Sequence, residues 1–191
     1  MSSVLRKEQI IEQIVEKEYK MFESLRARDS DRCKDNPKTF KLVRRVYFSV
    51  FSDETLRSYL KDLEDAEKSN RNLLEEKYAR MDDLIPQIKE NPLIEEIVTI
   101  RLGWMRELSS KYPNIFQGDE EGFVRYLRSE LETYSDRTLE LVYRDLQKAL
   151  RDGRNILKEQ YELLFRKIGY NSLEEVERRA SSTASSSQNM R

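Results

Sequence analysis

The chain reads as all-α: a pseudo-twofold helical bundle built by internal duplication of residues 11–81 and 94–164. Three observations predict it. Apolar residues recur at three- and four-residue steps along most of the chain, the spacing of one helix face. Glycine (5) and proline (4) are too scarce to interrupt long helices often. The chain also matches itself. IEQIV at 11–15 pairs with IEEIV at 94–98, Phe40 with Phe123, SDETL at 52–56 with SDRTL at 135–139, and RNLLEEKY at 71–78 with RNILKEQY at 154–161. Every match shares one offset without a gap, and roughly 19 of 71 aligned pairs are identical, the mark of repeated architecture.

The elements follow in order. Ile10, Ile11, Ile14, Val15, Tyr19 and Phe22 predict an amphipathic helix over 4–27. The polar stretch 28–37 breaks it, and Pro37 starts the next helix, because a first turn has no use for the missing donor. That helix runs to about Val50. Ser52 is then an N-cap, with Phe51 and Leu56 at the two positions of a hydrophobic staple. Asp53 and Glu54 favour the positive end of the helix dipole. Tyr134, Ser135, Asp136 and Leu139 repeat the device. Each staple opens one long helix, 53–81 and 136–168, with Gly153 marking a kink in the second. Pro86 and Asn91-Pro92 separate the halves. Helices over 93–111 and 120–133 open the second half, and Ser172 caps a short last helix to 180. The expected organisation is one domain over 1–180, with repeats at about 4–84 and 92–168 and a C-terminal helix at 172–180; the Ser-rich stretch 181–191 is expected to be a disordered tail. Three helices per repeat make a thin core, so the two copies are expected to pack face to face.

Composition narrows the chemistry. Lys+Arg (35) and Asp+Glu (36) nearly cancel to a net charge of −1, which gives no reason to expect nucleic acid as partner. No histidine removes the commonest general base and a major metal ligand. The single cysteine, Cys33, builds neither an internal disulfide nor a thiolate metal site. No metal and no other cofactor is expected, although Mg²⁺ on a few carboxylates stays open. No apolar run approaches the roughly 18 residues of a membrane span, and the start lacks the apolar core of a signal peptide, so no membrane partner and a cytoplasmic location are expected. There is no phosphate-binding glycine loop and no nucleophile elbow.

The candidate site residues come from the repeated R-N-x-L-x-E-x-Y segment. Leu74 and Tyr78 fall on the apolar stripe and read as core. Asn72 and Glu76 stand four apart and off the stripe, and amphipathicity alone does not require them in both copies. Two readings compete. Arg71, Asn72 and Glu76 with Arg45, and Arg154, Asn155 and Glu159 with Arg128, form satisfied polar networks that fix register. Alternatively the same groups line a cleft between the halves and bind a polar ligand. A nearby arginine holds a glutamate ionised, so a general-base role is less expected than a salt bridge. Cys33 lies between Arg32 and Lys34, cations that lower a thiol pKa, so it is either a reactive thiol or an ordinary loop cysteine.

Together EKEYKMF (16–22), CKDNPKTFKLVRR (33–45), NRNLLEEKYARM (70–81), LIEEIV (93–98) and IGYNSLEEVE (168–177) resemble the uncharacterised helical family catalogued as domain of unknown function 4125. The resemblance covers nearly the whole chain except the tail. It implies an all-helical fold and brings no established reaction. Arg44 and the RN-x-L-x-E-x-Y segment match the family's pattern. The family's Gly-Gly-Arg-Ala-type loop before the cysteine is replaced here by Arg28-Asp29-Ser30-Asp31-Arg32, and Tyr47 and Phe51 stand near the places of a Gln and a Trp.

The reading that follows is a small cytosolic binding or accessory module. Its polar cleft lies where the repeats meet, and its partner is a small polar or anionic metabolite held by Arg71, Asn72, Glu76, Arg154, Asn155, Glu159 and Arg44. The alternatives are a metal-free biosynthetic enzyme (a lyase, isomerase or transferase) using the same cleft, and a structural protein-interaction domain.

Overall fold

The computed structural model describes residues 6–26 and 36–188, and these residues form nine helices with no strand among them. The first half holds α1 (Lys7–Arg26), α2 (Pro37–Ser49), α3 (Asp53–Lys68) and α4 (Leu73–Met81). The second holds α5 (Pro92–Lys111), α6 (Glu120–Leu131), α7 (Asp136–Arg151) and α8 (Ile156–Lys167), and α9 (Leu173–Gln188) follows.

In each half the long first helix is the hub. α1 packs on α2, α3 and α4, and α5 packs on α6, α7 and α8. The halves then interlock: α3 lies on α7, α2 on α8 and α4 on α6. One apolar core runs through both, with Ile10, Ile14, Leu56, Leu63, Ile97, Leu139 and Leu146 fully enclosed. Burying each such side chain is worth about 1.5–3 kcal/mol.

The caps form as their residue types require. Ser52 accepts a hydrogen bond from the Thr55 amide (3.3 Å) and Ser135 one from the Thr138 amide (3.2 Å). Across the α3–α7 contact the bonds are reciprocal. The Ser52 amide donates to Asp145 (2.8 Å) and the Ser135 amide to Asp62 (3.0 Å). Arg137 pairs with Glu54, 83 positions before it. Reciprocity of this kind is the pattern of a self-complementary interface.

Two expected helices are each broken in two. The span 53–81 stops at Lys68 and restarts at Leu73, and 136–168 stops at Arg151 and restarts at Ile156. Both breaks are Schellman closures. The Arg71 amide reaches back to the Ala66 carbonyl and the Arg154 amide to the Ala149 carbonyl, each at 2.8 Å. Asn70 (φ 52°) and Gly153 (φ 66°) take the left-handed conformation the closure needs, which asparagine tolerates and glycine favours. Gly153 therefore ends a helix; it does not kink one. At the other end of the chain α9 continues past 180 to Gln188, into the stretch expected to be a tail.

Candidate functional site

The two corners carry the R-N-x-L-x-E-x-Y segments. Asn72 is the N-cap of α4: its Oδ1 accepts from the Leu74 and Glu75 amides (both 3.0 Å). Its Nδ2 donates to the Met21 carbonyl and to Ser24 Oγ (both 2.9 Å), tying the corner to α1. Asn155 does the same for α8. It accepts from the Lys158 amide (2.9 Å) and donates to the Trp104 carbonyl (3.3 Å) and to Glu107 (3.1 Å) on α5. Arg71 grips Glu76 through both carboxylate oxygens (2.8 and 2.7 Å), and Arg154 grips Glu159 likewise (2.8 and 2.6 Å). Both arginine side chains remain nearly half exposed. Arg45 and Arg128 are not joined to the corners by the expected networks. Arg45 pairs with Glu12, and Arg128 with Glu95. The structure thus places Arg71, Asn72 and Glu76 at one corner, and Arg154, Asn155 and Glu159 at the other.

Arg44 lies elsewhere, inside the bundle. Its guanidinium donates to Glu18 through Nε (2.7 Å) and Nη2 (2.6 Å), and to Glu130 through Nη2 (2.9 Å). Lys77 donates to the other Glu130 oxygen (2.6 Å). Tyr59 donates to Glu18 (2.8 Å) and Tyr134 to Glu130 (2.9 Å). Two carboxylates thus face two cations, all nearly fully buried. Burial pushes the Glu130 carboxyl up, but Arg44 and Lys77 overcome this and hold it well below the usual carboxylate range. Burial likewise pushes the Lys77 ammonium down, and Glu130 more than reverses it. Burial, and then Glu18 and Glu130 respectively, lift the Tyr59 and Tyr134 hydroxyls well above their ordinary value. The cavity against this cluster is about 20 Å³, room for one water.

A roomier space opens at the join of the halves. A groove of about 460 Å³ is bounded by Lys7 and Ser52 from the first half and by Asp145, Lys148, Arg154 and Glu159 from the second. Asp145 is committed to the Ser52 amide and the Thr55 hydroxyl (2.6 Å), and Lys148 to Asp152 (2.7 Å). Lys7 makes no ion pair among the described residues. Between α4 and α5 the segment joining the halves is tied to the second half: the Ile88 amide donates to Glu132 (3.0 Å), and Lys89 reaches the Tyr134 carbonyl and Asp136. Cys33 lies outside the described residues, as does the loop 28–32.

Among the described residues no group of three or more His, Cys, Asp or Glu is placed to hold a metal ion, and no helix is long and apolar enough to cross a membrane. The family model described as Protein of unknown function (DUF4125) matches residues 8–178. The chain belongs to that family. No curated protein and no solved structure matches it. As a DUF4125 member it keeps Arg44 inside the bundle, where sequence reasoning set it beside the corner residues. Glu18, Lys77 and Glu130 were not singled out at all. Their signal was present: Glu18 interrupts the run Ile14, Val15, Phe22, and Glu130 the run Leu127, Leu131, Tyr134. A charge on an apolar stripe is a buried charge in need of a partner.

Proposed function

We propose that the chain is a cytoplasmic binding module that holds a small anionic metabolite in the groove between the halves. The observation that carries this reading is that Lys7, Lys148 and Arg154 line one space of metabolite size, with Lys7 in no ion pair among the described residues. Lys148 and Arg154 already have acidic partners that an incoming anion would share. The groove is favoured over the buried cluster as the site because the charges of the cluster are matched to one another. Glu130 and Lys77 each hold the other ionised, so neither is poised to exchange a proton near neutral pH. Of the corner residues only Arg154 and Glu159 line this groove, so these two bear on the ligand while Arg71, Asn72 and Glu76 brace the fold.

The test is thermal melting of the full chain with citrate and with inorganic phosphate as probes. The expected result is a rise in Tm with either probe that is lost in the Lys7→Gln/Lys148→Gln variant and kept in Lys61→Gln, an exposed lysine elsewhere. An equal response in all three proteins refutes the groove as the site.

A further inference from the structure

Among the described residues, the buried side-chain atoms without a hydrogen-bond partner are Arg101 Nε, Arg101 Nη1 and Glu132 Oε1. Glu132 has its charge met, since its other oxygen takes Arg80 and the Ile88 amide. Arg101 does not. It is 4% exposed, and its one hydrogen bond runs from Nη2 to the neutral side chain of Gln160 (3.2 Å). Gln160 is itself fixed, donating to the Tyr47 carbonyl (2.7 Å). The guanidinium stands 5.3 Å from the centre of the Tyr47 ring. Tyr161 is close enough that Arg101 counters the rise that burial gives its hydroxyl. An aromatic face offsets part of the cost of burying a cation, but it supplies no lone-pair acceptor for the N–H groups that radiate in the guanidinium plane. A buried charge without a counter-charge is the costliest arrangement a core can hold.

We propose that Arg101 is a halide-type anion site, closed between α2, α5 and α8, in which one small monovalent anion accepts from Nε and Nη1. The charge fixes the valence: Arg101 is a single cation, and a doubly charged anion would leave the core with an unmet negative charge. The setting fixes the class. A guanidinium is weakly hydrated, and among aromatic rings a small, weakly hydrated anion such as chloride is its matched partner. Such a ligand stabilises the folded chain by mass action and leaves the groove at the join untouched.

Two measurements on the full chain test this. Bromide-soaked crystals are expected to show an anomalous peak within hydrogen-bond range of Arg101 Nε and Nη1. In solution, replacing gluconate with chloride at constant ionic strength is expected to raise Tm by about 4 °C at ten-fold saturation. Arg101→Met, which fits the same space without charge, loses this response, and Lys7→Gln/Lys148→Gln keeps it, so this site and the groove stand or fall separately. An ordered water in place of the bromide peak overturns the proposal, and so does a chloride response that Arg101→Met retains.

Discussion

Glu18 and Arg101 occupy matching places on the first long helix of each half, and both are almost wholly enclosed. Their surroundings differ in kind. Around Glu18 the neighbouring helices bring Arg44 and Tyr59, and Glu130 and Lys77 extend the cluster to balanced charge. Around Arg101 the position corresponding to Arg44 is Leu127 and the one corresponding to Lys77 is Gln160, so the cation meets an amide and a ring. The same helical frame therefore carries one centre that closes electrostatically on itself and one that does not. The first resists change because every member is needed by another. The second has donors to spare, and spare buried donors are what a ligand can use.

The comparison breaks most decisively at Arg44. Arg44→Leu installs the residue that the second half carries and strands two buried carboxylates, with only Lys77 left to face them. The expected loss is about 3–5 kcal/mol in urea unfolding; a loss below 1 kcal/mol would mean that the cluster is no more self-dependent than its counterpart. Acid sharpens the contrast next. Glu130 binds a proton less readily in the fold than in the unfolded chain, where 4.5 is its ordinary value. Its contribution is therefore complete above that pH and is lost as pH falls toward its lower folded value. Urea midpoints should drop steeply below pH 4.5, with the slope reduced in Glu130→Gln and unchanged in Arg101→Met, which leaves Glu130 and its partners in place.

Helix content, the Ser52 and Ser135 caps and the enclosed leucines were legible in the sequence because periodicity and capping are local signals. The breaks at 69–72 and 152–155 were not, since Leu74 and Leu157 continue the stripes of Leu63 and Leu146 in phase, and only the left-handed residue betrays the stop. Gly153 carried that signal openly, but Asn70 hid it. The buried cluster escaped because its members come from α1, α2, α3, α4 and α6 with the α6–α7 turn, and no spacing within one helix shows that Glu18 and Glu130 share a cation. The groove escaped for the same reason: Lys7 and Lys148 are neighbours only in the folded chain.

The corners are where the halves agree, and there the expected effects are small and equal. Asn72→Ala removes an acceptor from the first turn of α4 and two donor contacts to α1; Asn155→Ala does the same to α8 and α5. Each should cost about 1–2 kcal/mol, the range of a lost N-cap with an added tertiary bond. Glu76→Gln should cost only about 0.2–1 kcal/mol, because its partner Arg71 is half in solvent, where an ion pair gains little over hydration. A matched pair of asparagine losses in urea unfolding would make the repeated R-N-x-L-x-E-x-Y segment a device for turning the chain. A stability change at Asn72 without one at Asn155 would mean that the two corners are braced differently, and their agreement would be a likeness of sequence alone.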